Sequence, residues 1–118
     1  MNKKIGFIGL GIMGKPMAIN IKNAGYELSV FDRHKENIED LTRIGAIGRS
    51  SPADTARNSD ITITMVQDSP QSLEVITGNN GIIEGASEND LVIDMSSIEP
   101  EISKSIAKKL LDKKINFI

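Results

Sequence analysis

Short apolar runs alternate along this chain with longer stretches in which apolar residues return every three or four positions. Lys4–Gly9 (KIGFIG), Glu27–Asp32 (ELSVFD), Asp60–Val66 (DITITMV) and Leu91–Met95 (LVIDM) are apolar or β-branched at their centres, which predicts strands. Their limited polar alternation predicts a sheet covered on both faces. Helical stripes lie between and after them: Met13, Met17, Ile21 and Ala24; then Ile38, Leu41 and Ile44; then Ile102, Ile106, Leu110 and Leu111. Pro16 confines the start of the first helix to the residues just before it, because proline is tolerated in a first turn and harmful deeper. Ser51-Pro52-Ala53-Asp54 and Ser69-Pro70 each place a capping hydroxyl before a proline, and Gly25, Gly45 and Gly48 read as stops after helical stretches. Gly78-Asn79-Asn80-Gly81 reads as a turn, and Asp54 and Asp60 as helix and strand punctuation. Strands and helices in alternation predict one α/β domain over residues 1–118, an open parallel sheet with right-handed crossovers and helices on both faces.

Composition narrows the classes of function. At 118 residues the chain has the size of one domain, too short to carry a two-domain enzyme whole. Fourteen basic against sixteen acidic residues give a net charge of −2, which offers no electrostatic footprint for nucleic acid or an anionic membrane. The absence of cysteine removes disulfides, thiol nucleophiles and zinc fingers, and no metal site is expected. No apolar run approaches the roughly 20 residues of a membrane span, and Met1–Lys4 leads into a strand-like segment, so the expectation is a cytoplasmic protein. The last four residues, Ile115-Asn116-Phe117-Ile118, look like the opening of a buried strand without a polar tail. A sixth strand is therefore expected to begin here, within a longer parent protein.

Gly9-Leu10-Gly11-Ile12-Met13-Gly14 is a GxGxxG run, a weak signal alone. Here a strand precedes it, a helix follows it, and the next strand ends in Asp32, eighteen positions beyond Gly14. Gly9 would permit the tight turn, Gly11 would let the backbone approach a pyrophosphate, and Gly14 would let the helix pack closely on the sheet. Amides around Ile12 and Met13, with the helix dipole, would then face the phosphates, and Leu10 is counted among the cofactor-binding residues of the same loop. Asp32 can accept from the adenosine ribose hydroxyls and should repel a 2′-phosphate, which favours NAD; Arg33, able to pair with that phosphate, speaks for NADP. Later strands end in Met65-Val66-Gln67-Asp68 and Asp94-Met95-Ser96-Ser97, and strand carboxyl ends face the ligand crevice in such sheets. Ser96 and Ser97 can contact ligand or cap the following helix, whose first turn holds Glu99 and Glu101. His34, the single histidine, is placed in a surface loop at the adenine end and rejected as a general acid. Lys104, Lys108, Lys109, Lys113 and Lys114 read as the solvated face of the last helix.

The run Gly6-Phe7-Ile8-Gly9-Leu10-Gly11-Ile12-Met13-Gly14-Lys15-Pro16-Met17, followed by Asp94-Met95-Ser96-Ser97-Ile98, resembles the amino-terminal domain of the β-hydroxyacid dehydrogenases, and covers essentially the whole chain. That family includes 3-hydroxyisobutyrate dehydrogenase, tartronate semialdehyde (2-hydroxy-3-oxopropionate) reductase and, more distantly, 6-phosphogluconate dehydrogenase; the motifs look most like those of the tartronate semialdehyde reductases. The resemblance implies a Rossmann-type doubly wound parallel sheet, truncated before a helical substrate domain. It implies NAD- or NADP-dependent interconversion of a small β-hydroxyacid and its semialdehyde by a parent that is a homo-oligomer. It further implies that Met65 and Val66 pass along the cofactor, that Ser97 lies at its nicotinamide side and that Ser96 lies close to substrate. The family usually carries proline where this chain has Gln67. Its substrate loop and its catalytic lysine match no residue here, so no catalytic residue is expected in this segment and the segment alone should be inactive. Two other classes compete: a stand-alone nucleotide-sensing module, and a catalytically dead dehydrogenase relative used for binding.

Overall fold

Residues 3–118 are described by a computed structural model; Met1 and Asn2, where the reading of an untargeted amino end begins, lie outside the described residues. β1 (Lys4–Ile8) runs through the middle of the sheet, parallel to β2 (Glu27–Phe31) on one side and to β4 (Ile61–Thr64) on the other. Side chains alternate across a strand, so neighbouring residues serve different faces. Ile5 and Phe7 join Leu28 and Val30 in one core with Ala18 of α1 (Gly14–Asn23) and Leu41 of α2 (Lys35–Thr42). Ile8 turns to the opposite core. There it meets Ala56 of α3 (Pro52–Arg57), Ile76 of α4 (Ser69–Thr77) and Ile82 of α5 (Ile82–Gly85). Val92 of β5 (Leu91–Asp94) and Ile106 and Leu110 of α6 (Pro100–Asp112) complete it.

Two short strands extend the edges, β3 (Ile47–Gly48) beside β2 and β6 (Asn116–Phe117) beside β5. The order is β3-β2-β1-β4-β5-β6 with every neighbouring pair parallel, a Rossmann-type doubly wound sheet. The expected α/β fold and the strand at the carboxyl end are both present. β3 went unread because it is two exposed residues, one of them glycine. Gly48, expected as a helix stop, lies in that strand instead; Gly25 and Gly45 do end helices, with φ of 98° and 103°.

Two capping assignments change. Ser51 caps α3 as expected, its Oγ accepting from the Asp54 amide at 3.0 Å. At α4 the cap is Asp68, which accepts from the Gln71 amide at 3.0 Å, whereas Ser69 Oγ accepts from the Glu99 amide at 2.9 Å and ties the start of α4 to the start of α6. Neither Ser96 nor Ser97 caps α6; Glu99 occupies that position without a side-chain bond, and Pro100 follows it. Asp68→Ala should lower the unfolding free energy by about 1 kcal/mol, measured by urea denaturation.

Candidate functional site

β1 ends at Ile8 and the chain turns sharply at Gly9, whose φ is 101°. A side chain there would be strained, and its Cβ would run into the Met65 carbonyl. A Cβ on Gly14 would strike the Gly9 carbonyl, so the first turn of α1 sits directly on the end of β1. Gly11 is different. Nothing stands within 4 Å of the place a Cβ would take, and the residue borders an open cleft. Among the described residues the amides of Gly11, Ile12 and Met13 donate to no protein acceptor, while Lys15 closes the first turn by donating to the Gly11 carbonyl at 2.9 Å. Unpaired amides at a helix start, beside empty space, are what an anionic phosphate group requires.

The cleft has a volume of about 360 Å³. Its walls include Gly9 and Gly11 from the turn, Asp32, Arg33 and His34 after β2, and Met65, Val66 and Gln67 after β4. β1 and β4 flank the point where the strand order reverses, so the cleft occupies the crevice at that switch point.

Asp32 organises one side of it. Its Oδ1 accepts from the Leu10 amide at 2.8 Å, and its Oδ2 accepts from the His34 amide at 2.9 Å and from Asn37 Nδ2 at 3.0 Å. Burial pushes its carboxyl upward, but the bonds from Leu10, Asn37 and His34 outweigh that and hold it below the ordinary carboxylate range. A carboxylate offers about four acceptor positions, and three are taken. Room is left for one further donor, where the sequence alone had suggested both ribose hydroxyls.

The serines lie elsewhere. Ser96 and Ser97 border a second, open recess with Gln67, Asp68, Ser69 and the first residues of α6; Gln67 borders both hollows. Ser96 Oγ accepts from the Val66 amide at 2.8 Å, and the Ser96 amide donates to Asp94 Oδ1 at 2.9 Å. The same oxygen accepts from Thr64 Oγ1 at 2.9 Å. Thr64, Asp94 and Ser96 thus fix the segment after β4 against the end of β5.

Of the candidate residues, Gly9, Gly11, Asp32, Arg33, Met65 and Val66 meet around the first cleft. Leu10 turns its side chain into the core and contributes only its amide, Gly14 is packed against the turn, and Ile12 and Met13 project into solvent, 93% and 64% exposed. Sequence reasoning missed Asn37 on α2, and Gln71, Glu74, Val75 and Asn79 on and after α4, all of which line the cleft. The spacing of Gln71 and Val75, four apart on one helical face, is the one signal they left. Among the described residues no group of three or more His, Cys, Asp or Glu could hold a metal ion, and no helix is long and apolar enough to cross a membrane.

Because the folded-state pKa of Asp32 lies below its unfolded value, the residue stabilises the fold above that value and the contribution disappears as pH falls through the folded one. Stability should therefore drop below about pH 4. Asp32→Asn should flatten part of that drop and lower stability at neutral pH, since its amide would face the donors of His34 and Asn37. Urea denaturation at both pH values measures the two effects.

The family model for the NAD binding domain of 6-phosphogluconate dehydrogenase matches residues 4–118. The chain is 42% identical to the mitochondrial 3-hydroxyisobutyrate dehydrogenase of Rattus norvegicus over 90% of its length, and 44% identical to the 3-sulfolactaldehyde reductase of Escherichia coli over 81%. It covers 32% of each of those proteins. It shares its fold with Mycobacterium tuberculosis 3-hydroxyisobutyrate dehydrogenase, solved with L-serine, at a TM-score of 0.88 and 23% identity, over 99% of this chain and 39% of that one. Solved structures of the same fold include complexes with NADP+ and with NAD+. The chain thus spans between about a third and two fifths of the length of the curated relatives it matches. With its parallel sheet, its glycine turn and a family match over nearly every residue, this chain belongs to the β-hydroxyacid dehydrogenase family, as an NAD-binding domain of the 6-phosphogluconate dehydrogenase type.

Proposed function

We propose that this chain is the cofactor-binding half of an NAD-dependent oxidoreductase that interconverts a small β-hydroxyacid and its semialdehyde, with tartronate semialdehyde or 3-hydroxyisobutyrate as the substrate class. The observation that carries this reading is the turn at Gly9–Gly14: open space at Gly11, unpaired amides at Gly11–Met13, and Asp32, which is bonded to the same turn and borders one cleft with Gly9 and Gly11.

When bound, the nicotinamide ring supplies or accepts the hydride. The residues of this chain bind and orient. The amides of Gly11, Ile12 and Met13 would hold a pyrophosphate, and the remaining acceptor position of Asp32 would take one adenosine ribose hydroxyl. Met65 and Val66 would form the wall along the cofactor, with the Val66 amide held by the Ser96 hydroxyl. On the resemblance, Ser97 would lie toward the nicotinamide and Ser96 toward the substrate, in the second recess that Gln67 joins to the cleft. No residue of this chain is assigned to the hydroxyl proton; the family resemblance implies a lysine outside these 118 residues for that step. The carboxylate of Asp32 supports NAD; Arg33, exposed at the cleft and without an ion pair among the described residues, is the feature on the side of NADP.

Titration of the 118-residue chain followed by NADH fluorescence tests the reading, and the absence of tryptophan keeps the protein background low. Saturable binding is expected, with no turnover of either substrate by the chain alone; turnover would refute the division of roles. Gly11→Ala should change stability by less than about 0.5 kcal/mol, because its Cβ enters empty space. The same change should weaken NADH binding about tenfold or more by filling the place of the phosphates. Unaltered NADH affinity in Gly11→Ala would sink the proposal.

A further inference from the structure

The strand order gives the carboxyl edge of the sheet a direction. Asp32 follows β2, the glycine turn follows β1, Gln67 lies in the segment after β4 and Ser96 in the segment after β5, and these strands stand side by side in the order β2-β1-β4-β5. A dinucleotide with its adenosine at Asp32 and its pyrophosphate at the glycine turn has already crossed β2 and β1, so its second nucleoside runs on towards β4 and β5. Gln67 stands at that step. Among the described residues it alone borders both the cleft and the second recess.

The backbone around Gln67 is held from three sides, and its side chain is left free. The Val66 amide before it donates to Ser96 Oγ at 2.8 Å, its own amide donates to Gln71 Oε1 at 3.3 Å, and Asp68 after it caps α4. Among the described residues the side-chain amide of Gln67 has no hydrogen-bond partner, and the residue is exposed. It therefore brings an uncommitted NH2 donor group and a carbonyl acceptor to the rim between the two hollows. Proline, usual at this place in the family, has neither on its side chain, so a polar contact here is particular to this chain. We propose that Gln67 is a binding residue for the nicotinamide riboside half of the dinucleotide, its side-chain amide hydrogen-bonding the neutral hydroxyl and carboxamide groups of that half where the cleft gives way to the second recess. The inference rests on the dinucleotide reading above and deepens it.

Ligand truncation tests it. NADH binding is read from NADH fluorescence, and ADP binding from displacement of NADH, in the chain and in Gln67→Leu and Gln67→Ala. ADP carries the adenosine and the pyrophosphate and lacks the second nucleoside. Leucine keeps most of the bulk of glutamine without its amide, and both variants retain the backbone bond to Gln71. NADH affinity should fall about three- to tenfold in both variants, the effect of one hydrogen bond. ADP affinity and the melting temperature should stay at the parent's values. If the chain binds NADH and both variants bind it equally well, the inference fails and the dinucleotide reading stands. Equal losses of NADH and ADP trace the effect to the loop and not to a contact with the second nucleoside, and a loss in one variant alone traces it to bulk; either result overturns the inference. A parent chain that binds no NADH overturns the dinucleotide reading and the inference together.

Discussion

Leu10 buries its side chain completely and gives its amide to the carboxylate of Asp32. A buried amide left without a partner costs about 1–3 kcal/mol, so this bond fixes where the turn after β1 can lie. It also joins the ends of β1 and β2 at a level beyond their strand pairing, where Gly9 donates to the Phe31 carbonyl. The open face of Gly11, the unpaired amides and the cleft wall all depend on that turn keeping its path.

The electrostatics follow from the same bond. Asp32 is held in its charged form a few residues from amides that carry the positive end of α1. The carboxylate takes up one amide of the turn and leaves the next three unclaimed, which separates an acidic end of the cleft from an anion-accepting one. On the far side Asp94 and Ser96 do for the segment after β4 what Asp32 does for the glycine turn: a carboxylate gathers local donors and sets the backbone that walls the cleft.

Much of this was legible in the residues. The strands of the sheet centre were found within two residues at each end, because apolar runs bounded by turn residues depend on little besides local pattern. The glycine turn was legible because all its parts are contiguous. The lining from α2 and α4 was not, since Asn37, Gln71 and Glu74 reach the cleft only once helices have docked on the sheet. Ser69 and Ser96 show a different limit: a hydroxyl before a helix suits a cap or a bond to a neighbouring element equally well, and packing decided for the second.

The two cores differ in how the chain supplies them. The one beneath the glycine turn draws its buried residues from Ile5 to Ala46, whereas the other joins Ile8 to residues between Ala56 and Ile115. A chain emerging from a ribosome therefore carries every buried member of the first core before any member of the second except Ile8. Short loops close at small entropic cost, so β1, α1, β2 and α2 can collapse as a vectorial unit during synthesis. The bond between Leu10 and Asp32 lies wholly inside that unit, which places the glycine turn among the earliest parts of the fold to be made.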